Sequence, residues 1–260
     1  MLPKPTQFGR DYGSQFSDAS VVSAYHLRPP YPEGTFEILE TLLPTDCRSV
    51  LDLGCGTGEI ARGMAPRVDR VDAVDPSAGM IAKGQSLPGG SVANIAWIHG
   101  SAERGAFQGP YDLVVAGASL HWMEWDVVLP RITDSLAVDG SLAIVELEQD
   151  ASPWSDGISG ICGKYSTNQE FRPYKVVDEL VQRELFVTVG SVATETIVFT
   201  LSVSDYVESF HARNGFSRDR MTAAAGETFD RDITSLVEPY ATDGMVELQI
   251  RGSVVWGQPE

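Results

Sequence analysis

Apolar and polar positions along the first 150 residues switch repeatedly between two periods. Short apolar runs such as Val50-Leu51-Asp52-Leu53 and Val71-Asp72-Ala73-Val74 read as buried strands. The first is followed by Ile60, Ala61 and Met64 at helical spacing. Strands are expected near 49–53, 70–75, 94–98, 111–116 and 140–147, and helices near 57–65, 77–85 and 124–137. Thr57 and Ser77 suit N-caps, and Asp139-Gly140 suits a helix stop. Such alternation predicts an α/β, doubly wound, mostly parallel sheet whose ligands gather at the strands' carboxyl ends. From Gln149 to about Gly244 it breaks. Helical stretches near 173–186 and 204–213 flank a β-rich piece from Glu195 to Val203, and 215–235 is polar and expected to be mobile. The expectation is one domain over 1–260, with a core of 33–148 and 245–260 and a cap built from 1–32 and 149–244.

Between the first strand and its helix lies Gly54-Cys55-Gly56-Thr57-Gly58-Glu59. Glycines at every second position let the backbone take positive φ and approach a ligand closely. The dinucleotide fingerprint places its third glycine three positions after the second. Here that position is Glu59, and Asp52 lies two residues before the first glycine. A pyrophosphate wants bare amides and no neighbouring negative charge, whereas an amino-acid end and a sulfonium tolerate both features. Asp52 can receive an ammonium or anchor the loop. Asp75, before Pro76 at the end of the second strand, stands 17 residues after Gly58, near where an acidic side chain meets a ribose diol.

With these residues the chain resembles the class I (Rossmann-like) S-adenosylmethionine-dependent methyltransferases, in particular small-molecule members such as trans-aconitate and ubiquinone-pathway methyltransferases. The resemblance rests on LDLGCGTG (51–58), VDPSAGM (74–80), HGSAE (99–103), YDLVVAGASLHW (111–122) and the stretch from Leu136 to Glu146, with Val246 to Trp256 similar to the family's terminal antiparallel strand. It implies a seven-stranded sheet with that antiparallel strand and a cap. It also implies S-adenosyl-L-methionine held by Tyr25, Arg28, Asp52, Gly54, Gly56, Gly58, Asp75, Pro76, Met80, Ser101, Ala102, Glu103, Ala116 and Gly117. Arg28, ahead of the stiff Pro29-Pro30-Tyr31-Pro32 run, would pair with the methionine carboxylate; otherwise it is a surface residue. Pro32 can occupy the first turn of the next helix. One departure is plain: Ser101 stands where the family usually has Asp, and a hydroxyl accepts an adenine amino hydrogen more weakly.

Composition narrows the partners. A net charge of −17 over 260 residues disfavours nucleic acid and anionic membrane, because phosphate repulsion dominates at long range. No run of 18 apolar residues occurs, and the first residues lack a secretion signal. Cys47, Cys55 and Cys162 form no metal spacing, so no metal is expected, and a reducing cytoplasm fits them. A homodimer stays open.

The loop Ala116-Gly117-Ala118-Ser119 has only small side chains, which allows an acceptor to approach a methyl donor. An Asn-Pro-Pro-Tyr sequence, the family's mark for base nitrogens and glutamine amides, is absent there. His121 is the candidate general base, with structural packing of the His-Trp pair as the alternative. Tyr12, Phe16, Trp122, Tyr165 and Phe171 are candidates for an apolar acceptor wall, about half of them expected to reach it. His211 is expected at the rim. Three functions follow: methyl transfer to an oxygen or nitrogen of a small organic molecule, a nicotinamide-dependent oxidoreductase, or a non-catalytic module that binds the donor.

Overall fold

A computed structural model describes residues 4–46, 48–172 and 174–260; Cys47 lies outside them. Its strands are β1 (Ser49–Leu53), β2 (Arg70–Asp75), β3 (Ile95–His99), β4 (Tyr111–Gly117), β5 (Leu136–Gln149), β6 (Phe186–Ala193), β7 (Ile197–Ser202) and β8 (Met245–Pro259). Its α-helices are α1 (Arg10–Gly13), α2 (Ala19–Ala24), α3 (Glu33–Thr41), α4 (Glu59–Met64), α5 (Ala78–Ser86), α6 (Trp125–Ser135), α7 (Ser155–Tyr165), α8 (Val176–Gln182), α9 (Val203–Phe210) and α10 (Ala223–Val237).

All strands join one sheet in the order β3-β2-β1-β4-β5-β8-β6, with β7 also paired to β8. The first five run parallel, and β8 returns antiparallel to β5. Ile250 of β8 pairs with Gln149 of β5 and with Ile197 of β7, so those two strands flank opposite edges. β6 pairs with β8 further along, up to Pro259. β6 and β7 therefore continue one another along a single edge, broken at residues 194–196, and eight segments fill seven positions. The piece from Glu195 to Val203, expected in the cap, belongs to the sheet. The strand at 186–193 has no counterpart in the sequence expectation. Its Val187, Val189 and Val192 face outward at the edge, so its apolar residues carry no core-facing alternation.

Helices cover both faces. Leu51 and Leu53 of β1 pack with Trp125, Val128, Leu129 and Ile132 of α6 and Leu180 of α8. Val50, on the other face, packs with Phe36 and Leu39 of α3 and Ile60 and Met64 of α4. This is the period-two placement of a strand buried on both sides. A third cluster, including Trp154, Phe210, Phe229 and Ile233, fuses the cap to Val246, Leu248 and Ile250 of β8. Within the polar stretch 215–235, the residues from Ala223 onward form α10. Thr222 caps α10 by accepting the Ala225 amide at 3.2 Å, and Gly226, Phe229, Ile233 and Val237 form its buried stripe. Other boundaries also differ from expectation. Gly58, not Thr57, occupies the N-cap of α4. Pro32 sits at the N-cap of α3, just ahead of its first turn. α6 ends at Ser135, four residues before Asp139, which turns the chain at φ +67°. Among the described residues no helix is long and apolar enough to cross a membrane.

Candidate active site

The chain leaves β1 through a turn in which Gly54, Gly56 and Gly58 take φ of +68°, +56° and +69°. The amides of Gly54 and Cys55 donate to the Val74 carbonyl of β2 at 2.8 and 3.0 Å. This ties the turn to the neighbouring strand. Asp75, the last residue of β2, is 7% exposed. Its Oδ2 accepts the Gly56 amide at 2.8 Å and its Oδ1 the Ser77 amide at 2.7 Å. Burial raises the Asp75 pKa, and these two amides partly offset the rise. Ser77 in turn caps α5, accepting the Met80 amide at 3.3 Å. The three glycines have different reasons. A Cβ on Gly54 would meet Ser119 Cβ at 2.6 Å, and Ser119 is held by donating to the Leu53 carbonyl at 2.6 Å. A Cβ on Gly56 would lie 3.3 Å from Tyr25 Oη. A Cβ on Gly58 would strike Trp97 at 2.2 Å, so that glycine serves packing.

Over this turn opens a cavity of about 320 Å³. Its wall brings together Tyr25, Arg28, Gly54, Gly56, Asp75, Pro76, Met80, Ser101, Ala102, Glu103 and Gly117 from the expected donor site, and Phe16 and Trp122 from the expected acceptor wall. Phe16 and Trp122 meet edge-on with centroids 5.5 Å apart. Arg28 Nη1 donates to Tyr25 Oη at 3.1 Å, and among the described residues no carboxylate lies within ion-pairing distance of its guanidinium. The Ser101 hydroxyl lies beside the Glu103 carboxylate, two residues on, and favours its charged form. Burial opposes ionisation of Glu103, but the Glu124 amide at 2.9 Å and the Ser101 hydroxyl outweigh it and lower its pKa.

Several expected residues lie elsewhere. Asp52 is 1% exposed and accepts the Ala61 amide of α4 at 3.0 Å. It anchors the loop and helix, and burial drives its pKa up to about 7. Ala116 is fully buried in the core beneath the cavity. Gly58 faces Trp97, as above. Tyr12 lies outside the cavity wall, and its carbonyl accepts from Asn214 at 2.7 Å. Tyr165 belongs to the cap core, edge-on to Phe229, and donates to Asp232 at 2.7 Å. Phe171 is 58% exposed. His121 packs between Phe8 and Trp122, with centroids 4.9 and 4.8 Å away, and it too lies off the wall. Burial, with Lys4 and Arg28 adding to it, drives its pKa down to about 3, which makes the imidazole a poor proton acceptor. His211 is not at a rim: it is fully buried between the Phe216 carbonyl and Asp230, both at 2.7 Å.

Sequence reasoning passed over Gly13, Ser14 and Ser17, which reach the wall from short N-terminal turns without periodic signal, and Met123 and Glu124 beyond the small loop. It also passed over a second cavity, of about 410 Å³, which shares Tyr25, Arg28, Gly54, Gly117 and Ala118 with the first. Asp52, Glu59 and Glu146 line that space with Tyr31.

Comparison with known proteins agrees with this architecture. Residues 50–140 match a methyltransferase domain family. Over 106 residues the chain is 35% identical to the trans-aconitate 2-methyltransferase of Streptomyces avermitilis, covering 39% of each protein. Over 139 residues it is 32% identical to the enzyme of the same name from Deinococcus radiodurans, covering 52% of this chain and 47% of that one. The chain thus spans about half or less of the length of these two relatives. In fold, it is similar to a protein assigned as a Type II methyltransferase from Anaeromyxobacter dehalogenans, with a TM-score of 0.63 at 19% identity over 89% of this chain and 97% of that one. Residues 50–140 thus match a methyltransferase domain, and the chain as a whole shares the Rossmann-like fold of that solved structure.

Proposed function

We propose that this chain binds S-adenosyl-L-methionine in the first cavity and transfers its methyl group to an oxygen or nitrogen of a small organic molecule, a specialised metabolite of the cytoplasm. The observation that carries the reading is the shared wall. One cavity presents a buried carboxylate at the end of β2, open backbone at Gly54 and Gly56, and an arginine without a carboxylate partner. These suit a diol, an extended amino-acid chain and a carboxylate respectively. Glu103, already held by the Glu124 amide, suits an exocyclic amino group. When bound, the donor supplies a sulfonium-activated methyl group. The protein's own contribution is then to hold the reactants in line and exclude water, an effect worth roughly 7–11 kcal/mol in well-oriented systems.

The chain's residues fit these tasks. Tyr25 and Arg28 close over the turn, and Gly117 and Ala118 leave space beside it. A nicotinamide dinucleotide fits less well, because Glu59 and Asp52 set negative charge where a pyrophosphate needs bare amides. Calorimetry with S-adenosylhomocysteine and with NAD tests the reading. Binding of the former and not the latter is expected, and tight NAD binding with no response to the thioether would reject it. Radiolabelled methyl transfer to a metabolite library separates an enzyme from a module that only binds the donor.

A further inference from the structure

Three carboxylates face the second cavity, and two of them already have donors. Asp52 accepts the Ala61 amide at 3.0 Å and Glu59 the Tyr31 amide at 2.6 Å. The Glu146 carboxylate accepts no hydrogen bond from any described residue. Its place in the fold is specific. The last pair between β4 and β5 is Gly117 with Val145, and the Ala118 amide donates to the Val145 carbonyl at 2.8 Å. Glu146 is the next residue along β5. β4 has ended beside it while β5 runs on, paired with β8, so Glu146 stands next to the Gly117-Ala118 turn that lines both cavities. The charged and titratable groups around this cavity are Tyr25, His26, Arg28 and Tyr31 from the N-terminal segment, Glu148 from the strand of Glu146, Asp52 and Cys55 from β1 and its turn, and Glu59 and Arg62 from α4. Two arginines line the cavity, and both are engaged: Arg28 donates to Tyr25, and Arg62 to the Thr57 and Pro88 carbonyls. A largely buried carboxylate without a donor is unfavourable until it meets a cation or takes a proton.

We propose that Glu146 receives the acceptor as an amine in this second cavity and removes its ammonium proton before methyl transfer. This rests on the methyltransferase reading and specifies nitrogen within it. The acceptor enters as an ammonium ion paired with Glu146. One N–H bond breaks and the proton passes to a carboxylate oxygen. The freed nitrogen lone pair forms the N–C bond as the donor's S–C bond breaks, its electron pair going to sulfur. The products are an N-methylammonium, a thioether and a protonated Glu146, which then returns its proton to solvent. Burial lifts the Glu146 pKa to about 7, against the pull of Arg28 and with a smaller contribution from Glu148. Burial lowers an amine's pKa, so the two groups approach one another and proton transfer becomes less uphill. An anionic acceptor would face the three carboxylates instead.

The test is calorimetry on the full chain saturated with S-adenosylhomocysteine, with hexylamine, hexan-1-ol and hexanoate as probes at pH 8. Hexylamine is expected to bind at least ~10-fold more tightly than either other probe, and Glu146→Gln to weaken it by a similar ~10-fold. Affinity of the variant for S-adenosylhomocysteine is expected to be unchanged, and wild-type amine binding to fall as the pH drops below about 7. Hexanoate or hexan-1-ol binding as tightly as the amine, binding of none of the three, or wild-type amine affinity in Glu146→Gln would overturn the proposal. Failure of the wild type to bind S-adenosylhomocysteine would overturn the methyltransferase reading instead. Should the variant not fold, the ranking of the three probes on the wild type decides alone.

Discussion

Replacing Asp75 by alanine separates two jobs that one carboxylate performs. Its oxygens hold the Gly56 and Ser77 amides at 2.8 and 2.7 Å, in a position only 7% exposed. Each amide left without an acceptor costs about 1–3 kcal/mol, so the variant should lose roughly 2–6 kcal/mol of folding stability. That is a large share of the roughly 5–15 kcal/mol that separates a folded domain from its unfolded chain. If the carboxylate also accepts from a bound diol, binding of S-adenosylhomocysteine should weaken by a further 1–3 kcal/mol or about 5- to 150-fold. Urea unfolding gives the first quantity. Calorimetry, corrected for the folded fraction, gives the second. Asp75→Asn keeps the volume and one acceptor oxygen, and should fall between wild type and alanine in both. A stability loss with unchanged affinity would refute the ligand role and leave Asp75 as a clamp on the glycine turn.

Gly58→Ala should destabilise through both its positive φ, about 1–2 kcal/mol, and the clash with Trp97, about 1–3 kcal/mol more, while leaving S-adenosylhomocysteine affinity of the folded fraction unchanged. A loss of affinity greater than the loss of stability explains would show that Gly58 faces the ligand. Arg28→Met should weaken S-adenosylhomocysteine by about 1.5–3 kcal/mol in calorimetry and leave adenosine binding nearly unchanged, since only the former has a carboxylate; equal losses for both would sink the assignment. Asp52 has a folded pKa of about 7 against an ordinary value of 3.8. Between these values the folded state keeps a proton that the unfolded state has lost, so the Asp52 contribution falls as pH rises through that window and is constant above it. Asp52→Asn should therefore gain stability relative to wild type from pH 3.8 to about 7 in denaturant titrations, and a pH-independent difference would disprove the buried, proton-holding carboxyl.

Much of the site was legible because local chemistry demands it. A tight strand-to-helix elbow needs glycines at positive φ, an acidic residue ends the next strand, and parallel strands deliver both to the same edge. Gly54, Gly56, Asp75, Ser101 and Gly117 meet at one wall for that reason. The aromatic residues were ambiguous, since the same side chain builds a pocket or a cap core according to its neighbours. Phe16 and Trp122 line the cavity while Tyr165 packs on Phe229, and no spacing in the chain distinguishes them. His121 is a further case: its neighbours Phe8 and Trp122, from distant parts of the chain and from next door, remove its water and with it its basicity.

What the order of residues determined alone was the alternation of strands and helices, the turn after β1 and the acidic end of β2, because each is set by contacts within a few positions. Tertiary structure decided what depends on distant partners. It placed β6 and β7 along the free edge of β8, where backbone pairing outweighs the lack of a core-facing pattern. It turned Asp52 into a brace for α4. It left the Glu146 carboxylate without a donor, since β4 departs one residue earlier and the arginine that acts on it, Arg28, is already held by Tyr25.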